Sequence, residues 1–305
     1  MRKTLWASAI AATVLVSAAY VGGCGETAAP PANDGKPLIV AHRGGTADMP
    51  ENTVAAIETA LSNHADALWL TIQASSDGQA VLYRPQDLSA QTDGSGPVAA
   101  KTAEELTRLN AGYNFADASG GHPYRDRPTP IPTLREALAV IPGSVPIFLD
   151  LKQLPAGPVV SATAATLRDT GNLDRVTIYS TSAEVTDAAT AQGLHVAESR
   201  EQTRKRLLDV ALGHVCGVPA VAPGVWVALE KRLKVTVSEK VTLGSAGTDT
   251  EAALWDRESV DCLRSGATPK LMVIGINSKS DYDAVKSLGA DAVLVDSPAA
   301  AKTWR

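Results

Sequence analysis

The chain has 305 residues, a formal net charge of -5 and 45% hydrophobic residues, which fits a globular protein with one large core. An α/β barrel takes roughly 250 residues, so a single domain suffices. The mild acidity, the 4% aromatic content and the lack of a basic stripe argue against a nucleic-acid partner.

Arg2 and Lys3 precede an apolar run over 5–21 that ends Gly22-Gly23-Cys24. A charged start, an apolar stretch and small residues before a cysteine read as a lipoprotein-type signal over 1–23, with Cys24 as the lipidated first residue. An uncleaved membrane anchor is the alternative, because the run is almost long enough to span. Both place the domain outside the cytoplasm, on the periplasmic side of a cell envelope and attached to its membrane. Loss of Arg2 and Lys3 takes the net charge to -7, so lipid rather than charge would hold it there. Residues 24–35 are an Ala/Pro/Gly linker expected to be disordered, and 36–305 form the folded domain.

Apolar runs over 38–41, 67–73, 80–83, 146–151, 175–179, 194–197, 271–276 and 292–295 read as strands. Between them, helical periodicity is expected at 53–62, 102–109, 133–141, 157–170, 183–192, 199–213 and 281–288. Residues 86–130 are too long for an ordinary connection and are read as an insertion after strand three. Stretch 214–265 is the hardest to read: 221–229 suits a strand, and 234–243 suits a hairpin edge. Short strands alternating with helices predict a parallel sheet, and eight of them predict a closed TIM (β/α)8 barrel. Cys216 and Cys262 suit either a disulfide or two buried thiols.

Barrel chemistry sits at the carboxyl ends of the strands. Those ends supply His42 and Arg43, Thr71 or Gln73, Arg84, Asp150 and Lys152, Ser180, Glu198, Asn277, and Asp296 with Ser297. So cationic a ring fits an anionic small molecule, most simply a phosphodiester. Two glycines, Gly44 and Gly45, would let backbone approach it closely.

His42-Arg43-Gly44 with Pro50-Glu51-Asn52-Thr53 resembles the opening signature of the glycerophosphodiester phosphodiesterases, a family of phosphatidylinositol-phospholipase-C-like barrels. Ser76-Asp77-Gly78, the Tyr124-Arg125 loop, Ile131-Pro132-Thr133-Leu134, Leu149-Asp150-Leu151-Lys152 and Val295-Asp296-Ser297-Pro298 follow in matching order. The resemblance implies a TIM barrel that hydrolyses glycerophosphodiesters with a divalent cation and two acid-base histidines. It implies that His42 is the first histidine, that Arg43 contacts phosphate, that Glu51 holds Arg43, and that Lys152 is a phosphate-side lysine.

The chain departs from that pattern at the metal. The family's two carboxylates on strand two are here Trp69 and Thr71, its glutamate on strand four is Asp150, and its second histidine and following aspartate are Arg84 and Pro85. One aspartate and a hydroxyl make a poor Mg2+ or Ca2+ site, so no metal or a weakly bound one is expected. Arg84 would then stand for the cation, as an arginine replaces calcium in the bacterial phosphatidylinositol-specific phospholipases C that this arrangement resembles. Arg43, Arg84, Lys152 and Asn277 would bind the phosphodiester. Two other readings remain: an inactive barrel that only binds glycerophosphate or phosphodiester, and a metal enzyme drawing ligands from Glu198, Glu230 or Glu239. His122 is either a surface residue or a second acid reaching in from its loop.

Overall fold

A computed structural model describes residues 35–217 and 220–305; the expected signal segment, Cys24 and nearly all of the linker lie outside them. β1 (Leu38–His42) leads through α1 (Val54–Ser62) to β2 (Ala67–Ala74), which runs parallel to it. β3 (Ala80–Leu82) then returns antiparallel on β2. An insertion follows, carrying α2 (Ala103–Thr107), and α3 (Leu134–Val140) leads back to the wall at β4 (Ile147–Leu151). Then come α4 (Ala156–Asp169), β5 (Val176–Tyr179), α5 (Ala183–Ala191), α6 (Arg200–Gly213) and β6 (Trp226–Glu230). β7 (Arg232–Val241) and β8 (Gly244–Ala253) pair only with each other. The wall resumes with α7 (Arg257–Arg264), β9 (Lys270–Ile274), α8 (Lys279–Ser287), β10 (Ala292–Val295) and α9 (Pro298–Ala301).

The wall strands lie in the order β5-β4-β2-β1-β10-β9-β6, all parallel. A short extended segment closes the ring between β5 and β6. Ile178 N donates to His195 O at 2.8 Å, Ala197 N to Ile178 O at 2.8 Å, and Glu198 N to Trp226 O at 2.9 Å. The result is the expected eight-stranded barrel, with a different membership. The run at 80–83 is not a stave, because a connection of five residues can only fold β3 back antiparallel; a parallel return needs a crossover of a dozen or more. The missing stave is β6, inside the stretch that resisted sequence reading. The hairpin expected near 234–243 is present as β7 and β8, outside the barrel.

Strand alternation sorts the side chains. Val40, Ala67, Trp69, Phe148, Tyr179, Ala197, Ala228, Met272, Ala292 and Leu294 point inward and fill the barrel. Their neighbours Leu68, Leu70, Ile72, Leu149 and Leu151 point outward against Ile57 of α1 and Leu134 of α3, with Val159 and Val160 of α4. The insertion has a small core of its own, where Leu88, Val98, Leu106 and Ile131 pack on Val81 and Tyr83.

Cys216 and Cys262 form a disulfide between the segment after α6 and helix α7, with Cα atoms 5.5 Å apart. No helix among the described residues is long and apolar enough to cross a membrane.

Candidate active site

Continuing each strand's alternation by one step, from Val40, Trp69, Phe148 and Leu294, brings His42, Thr71, Asp150 and Asp296 to the mouth of the barrel, above a plug of aromatic rings. His42 Nδ1 lies 2.6 Å from Asp296 Oδ1. Facing a carboxylate, Nδ1 carries the hydrogen and donates it, which leaves Nε2 with its lone pair. Nε2 has no hydrogen-bond partner among the described residues. Thr46 Oγ1 donates to the same Asp296 oxygen at 3.0 Å. The other oxygen accepts from Asn277 Nδ2 at 2.6 Å, and Asp296 N donates to Asn277 Oδ1 at 2.9 Å. The hydrogen bond from His42 outweighs partial burial and holds the Asp296 carboxyl down to about 2. Both polar ends of Asn277 are thus engaged on Asp296, so Asn277, expected to bind substrate, sits here as an orienting group.

The loop after β1 explains the His-Arg-Gly-Gly and Pro-Glu-Asn-Thr signatures together. Arg43, Gly44 and Gly45 have φ of 50°, 82° and 102°. A Cβ on Gly44 would lie 2.8 Å from Ala56 Cβ, and one on Gly45 would lie 2.9 Å from Pro298 Cδ. The glycines therefore admit helices α1 and α9, a role nearer to packing than the ligand approach expected of them. Arg43 pairs with Glu51, and Asn52 N donates to Arg43 O at 2.7 Å. Asn52 Oδ1 accepts from Thr71 N at 2.9 Å, tying this loop to β2. Thr53 Oγ1 caps α1 by accepting from Ala56 N.

Asp150 is 3% exposed, with Lys152 Nζ 3.0 Å from its Oδ2. Burial pushes the Asp150 carboxyl up, against the opposing pull of Lys152, the Trp69 indole and His42. Trp69 stands where the sequence resemblance put a family carboxylate. It is buried, with its ring centroid 4.7 Å from that of Tyr179 and 6.0 Å from that of Phe148.

The residues at the positions that the sequence resemblance gives to the metal are a poor set for a divalent cation. The remaining carboxylate is already paired with an ammonium, and its neighbour across the β2–β4 register is Thr71. Among the described residues no group of three or more His, Cys, Asp or Glu is arranged to hold a metal. Nor do the three glutamates considered from sequence supply one. Glu198 pairs with Arg206 at 2.8 Å, Glu230 pairs with Arg200 at 3.0 Å, and Glu239 lies exposed on the β7–β8 hairpin.

Arg84 follows Tyr83, whose N donates to Thr71 O at 3.0 Å, and Gln73 Nε2 clamps the turn through Tyr83 O and Pro85 O. This sets Arg84 on the turn that follows β3. It is exposed and makes no hydrogen bond or ion pair among the described residues; the cation seated on Asp150 is Lys152. His122 is bound to its own loop, Nδ1 to Phe115 O at 2.9 Å. Sequence reasoning placed Asp296 on the ring without its partnership to His42, and passed over Thr46. The clue was the Val-Asp-Ser-Pro signature ending β10, the strand that pairs with β1.

The family model described as the glycerophosphoryl diester phosphodiesterase family matches residues 42–300. The chain belongs to that family. It is 50% identical over 296 residues to the uncharacterized protein Rv2277c of Mycobacterium tuberculosis, covering 96% of this chain and 98% of that one. The crystal structure of the glycerophosphoryl diester phosphodiesterase domain of Rv2277c superposes with a TM-score of 0.84 at 51% identity, over 88% of this chain and 99% of that one. The glycerophosphodiester phosphodiesterase of Caldanaerobacter subterraneus is 36% identical over 106 residues, 35% of this chain and 41% of that one.

Proposed function

We propose that the protein hydrolyses glycerophosphodiesters with little or no dependence on a divalent metal. Family membership supports phosphodiesterase activity in general. The observation that carries the finer reading is the His42–Asp296 pair, which leaves an imidazole nitrogen free at the barrel mouth. His42 Nε2 removes a proton from a water as that oxygen bonds to phosphorus. The bond from phosphorus to the alcohol oxygen breaks, the alcohol takes a proton from solvent, and the His42 imidazolium returns its proton to solvent. Arg43, held by Glu51, and Lys152, held by Asp150, stabilise the negative charge that gathers on the phosphoryl oxygens. Arg84 supplies a further guanidinium at the rim, suited to two phosphate oxygens.

The test is hydrolysis of glycerophosphocholine and of bis(p-nitrophenyl) phosphate by the full chain, with and without chelator. Turnover that survives chelation and is lost in His42→Ala is the expected result. Turnover abolished by chelator and restored by Mg2+ or Ca2+ would sink metal independence. No turnover, with glycerol 3-phosphate still bound, would leave a binding protein.

We also infer that the domain works outside the cytoplasm, tethered by lipid on Cys24. The Cys216–Cys262 disulfide supports this, since such bonds persist in oxidising compartments.

A further inference from the structure

Because the staves are parallel, their starting ends and the ends of the helices that lead to them gather at one end of the barrel, the base, opposite the mouth. Contacts between successive connections agree. Arg168, in the last turn of α4, donates to Gln192 O after α5 at 2.7 Å. Arg175, just before β5, donates to Pro142 O, just before β4, at 2.6 Å. Lys302, after α9, donates to Asn63 Oδ1, after α1, at 2.8 Å.

The chain carries a net charge of -5, yet its base is cationic. Lys36, Arg168, Arg175, Lys270, Lys286 and Lys302 lie at this end with no carboxylate partner among the described residues. The carboxylates Asp66, Asp169 and Asp291 are each paired with an arginine. That leaves only Asp174 and the C-terminal carboxylate to oppose the cations. Leu212 and Val215, 69% and 57% exposed, lie at the same end, where α6 stops.

An anionic surface with an apolar interior satisfies both features. Headgroups draw the cations, and the two aliphatic side chains enter the apolar boundary beneath them. Such attraction fades within a Debye length, roughly 8–10 Å at physiological salt, so local charge decides and net charge does not. The start of the folded chain favours the same end. Gly35 leads into β1 at the base, and Cys24 lies eleven residues earlier, a reach of at most about 40 Å. Leu154 and Leu243 are exposed near the mouth instead. The β7–β8 hairpin that carries Leu243 sets Glu239, Asp249 and Glu251 against Arg232, Lys234 and Lys240, so it offers an anionic surface no net pull.

We propose that the base of the barrel docks on an anionic lipid surface, with Leu212 and Val215 set into it, and that the mouth with His42 faces away into solution. This contact is independent of the phosphodiesterase reading and builds on the lipid tether at Cys24.

The experiment is amide hydrogen exchange on the full chain, carried by vesicles of phosphatidylcholine alone or of phosphatidylcholine and phosphatidylglycerol in equal parts. Peptides from 212–217, 264–270 and 286–291 should exchange about threefold or more slowly on the mixed vesicles, while the hairpin at 232–253 should not change. The slowing should vanish near 1 M salt, where the Debye length is about 3 Å. Combining Arg168→Glu, Lys286→Glu and Lys302→Glu should also abolish it, with an unchanged melting temperature showing that the variant is folded. If the variant does not fold, the salt response of the unaltered chain decides. Flotation with both vesicle types but equal exchange at the base overturns the contact and leaves the tether standing. Failure to float with either overturns both. Slowing at the hairpin rather than the base means that the mouth end docks, and it overturns the proposal. So does slowing at the base without vesicles that grows with protein concentration, which would mean that a second copy covers it.

Discussion

Asn277 grips Asp296 at both of its polar ends, giving a hydrogen bond to the carboxylate at 2.6 Å and taking one from the backbone N–H at 2.9 Å. Asp296 is thereby fixed against the His42 ring, and the pair works as one unit. Asn277→Ala should lower kcat by about 10-fold with little change in KM, as expected when an orienting group is lost. Asp296→Asn should cost more, about 10²–10³-fold, because an amide favours the wrong imidazole tautomer. Steady-state kinetics on glycerophosphocholine checks both, and equal effects on kcat and KM would count against an orienting role for Asn277.

The same carboxylate predicts an acid limb in the stability profile. Its folded-state value is depressed to about 2 by His42. An aspartate depressed in this way contributes stability that is fully present above its unfolded value of about 3.9 and is lost as pH falls through about 2. Denaturant unfolding between pH 5 and pH 2, both rough bounds, should show a steeper decline in the unaltered protein than in Asp296→Asn.

Gly44→Ala should destabilise the fold by about 1–3 kcal/mol. The new methyl would sit 2.8 Å from Ala56 Cβ on a backbone with φ of +82°, so strain and overlap act together. Thermal unfolding reads the change, and an unchanged melting temperature would show that α1 can move away without cost.

Trp69→Ala should cost about 3–5 kcal/mol by leaving a cavity among Phe148, Tyr179 and the rest of the barrel interior. A much smaller loss, measured by denaturant titration, would mean that Trp69 contributes little to filling the barrel.

Reduction should also loosen the fold. The Cys216–Cys262 bond joins residues 46 apart in sequence, and closing a loop of that length stabilises by up to about 4 kcal/mol. Calorimetry with and without dithiothreitol should show a lower melting temperature in the reduced protein. A Cys216→Ser, Cys262→Ser double variant should match the reduced protein and be insensitive to dithiothreitol.

The barrel was legible because seven of its eight staves are apolar runs spaced by helical patterns, and His42, Asp150, Lys152 and Asp296 fall at strand ends. β3 misled because three residues of a hairpin look like three residues of a wall strand; only the five-residue connection separates them. β6 was hard to see because one residue, Lys231, divides it from the longer, alternating β7. The role of Asp296 could not be read locally. It lies 254 residues from His42, and only the pairing of β1 with β10 brings them together. Likewise Asn277 looked like a substrate ligand because nothing in its own surroundings shows that both ends of its side chain are engaged.

That separation has a consequence for when the pair can form. His42 leaves the ribosome 254 residues before Asp296. Until β10 docks beside β1, His42 lacks the carboxylate that sets its proton, and α9 cannot reach Gly45. A chain that lacks β10 therefore holds an unset histidine.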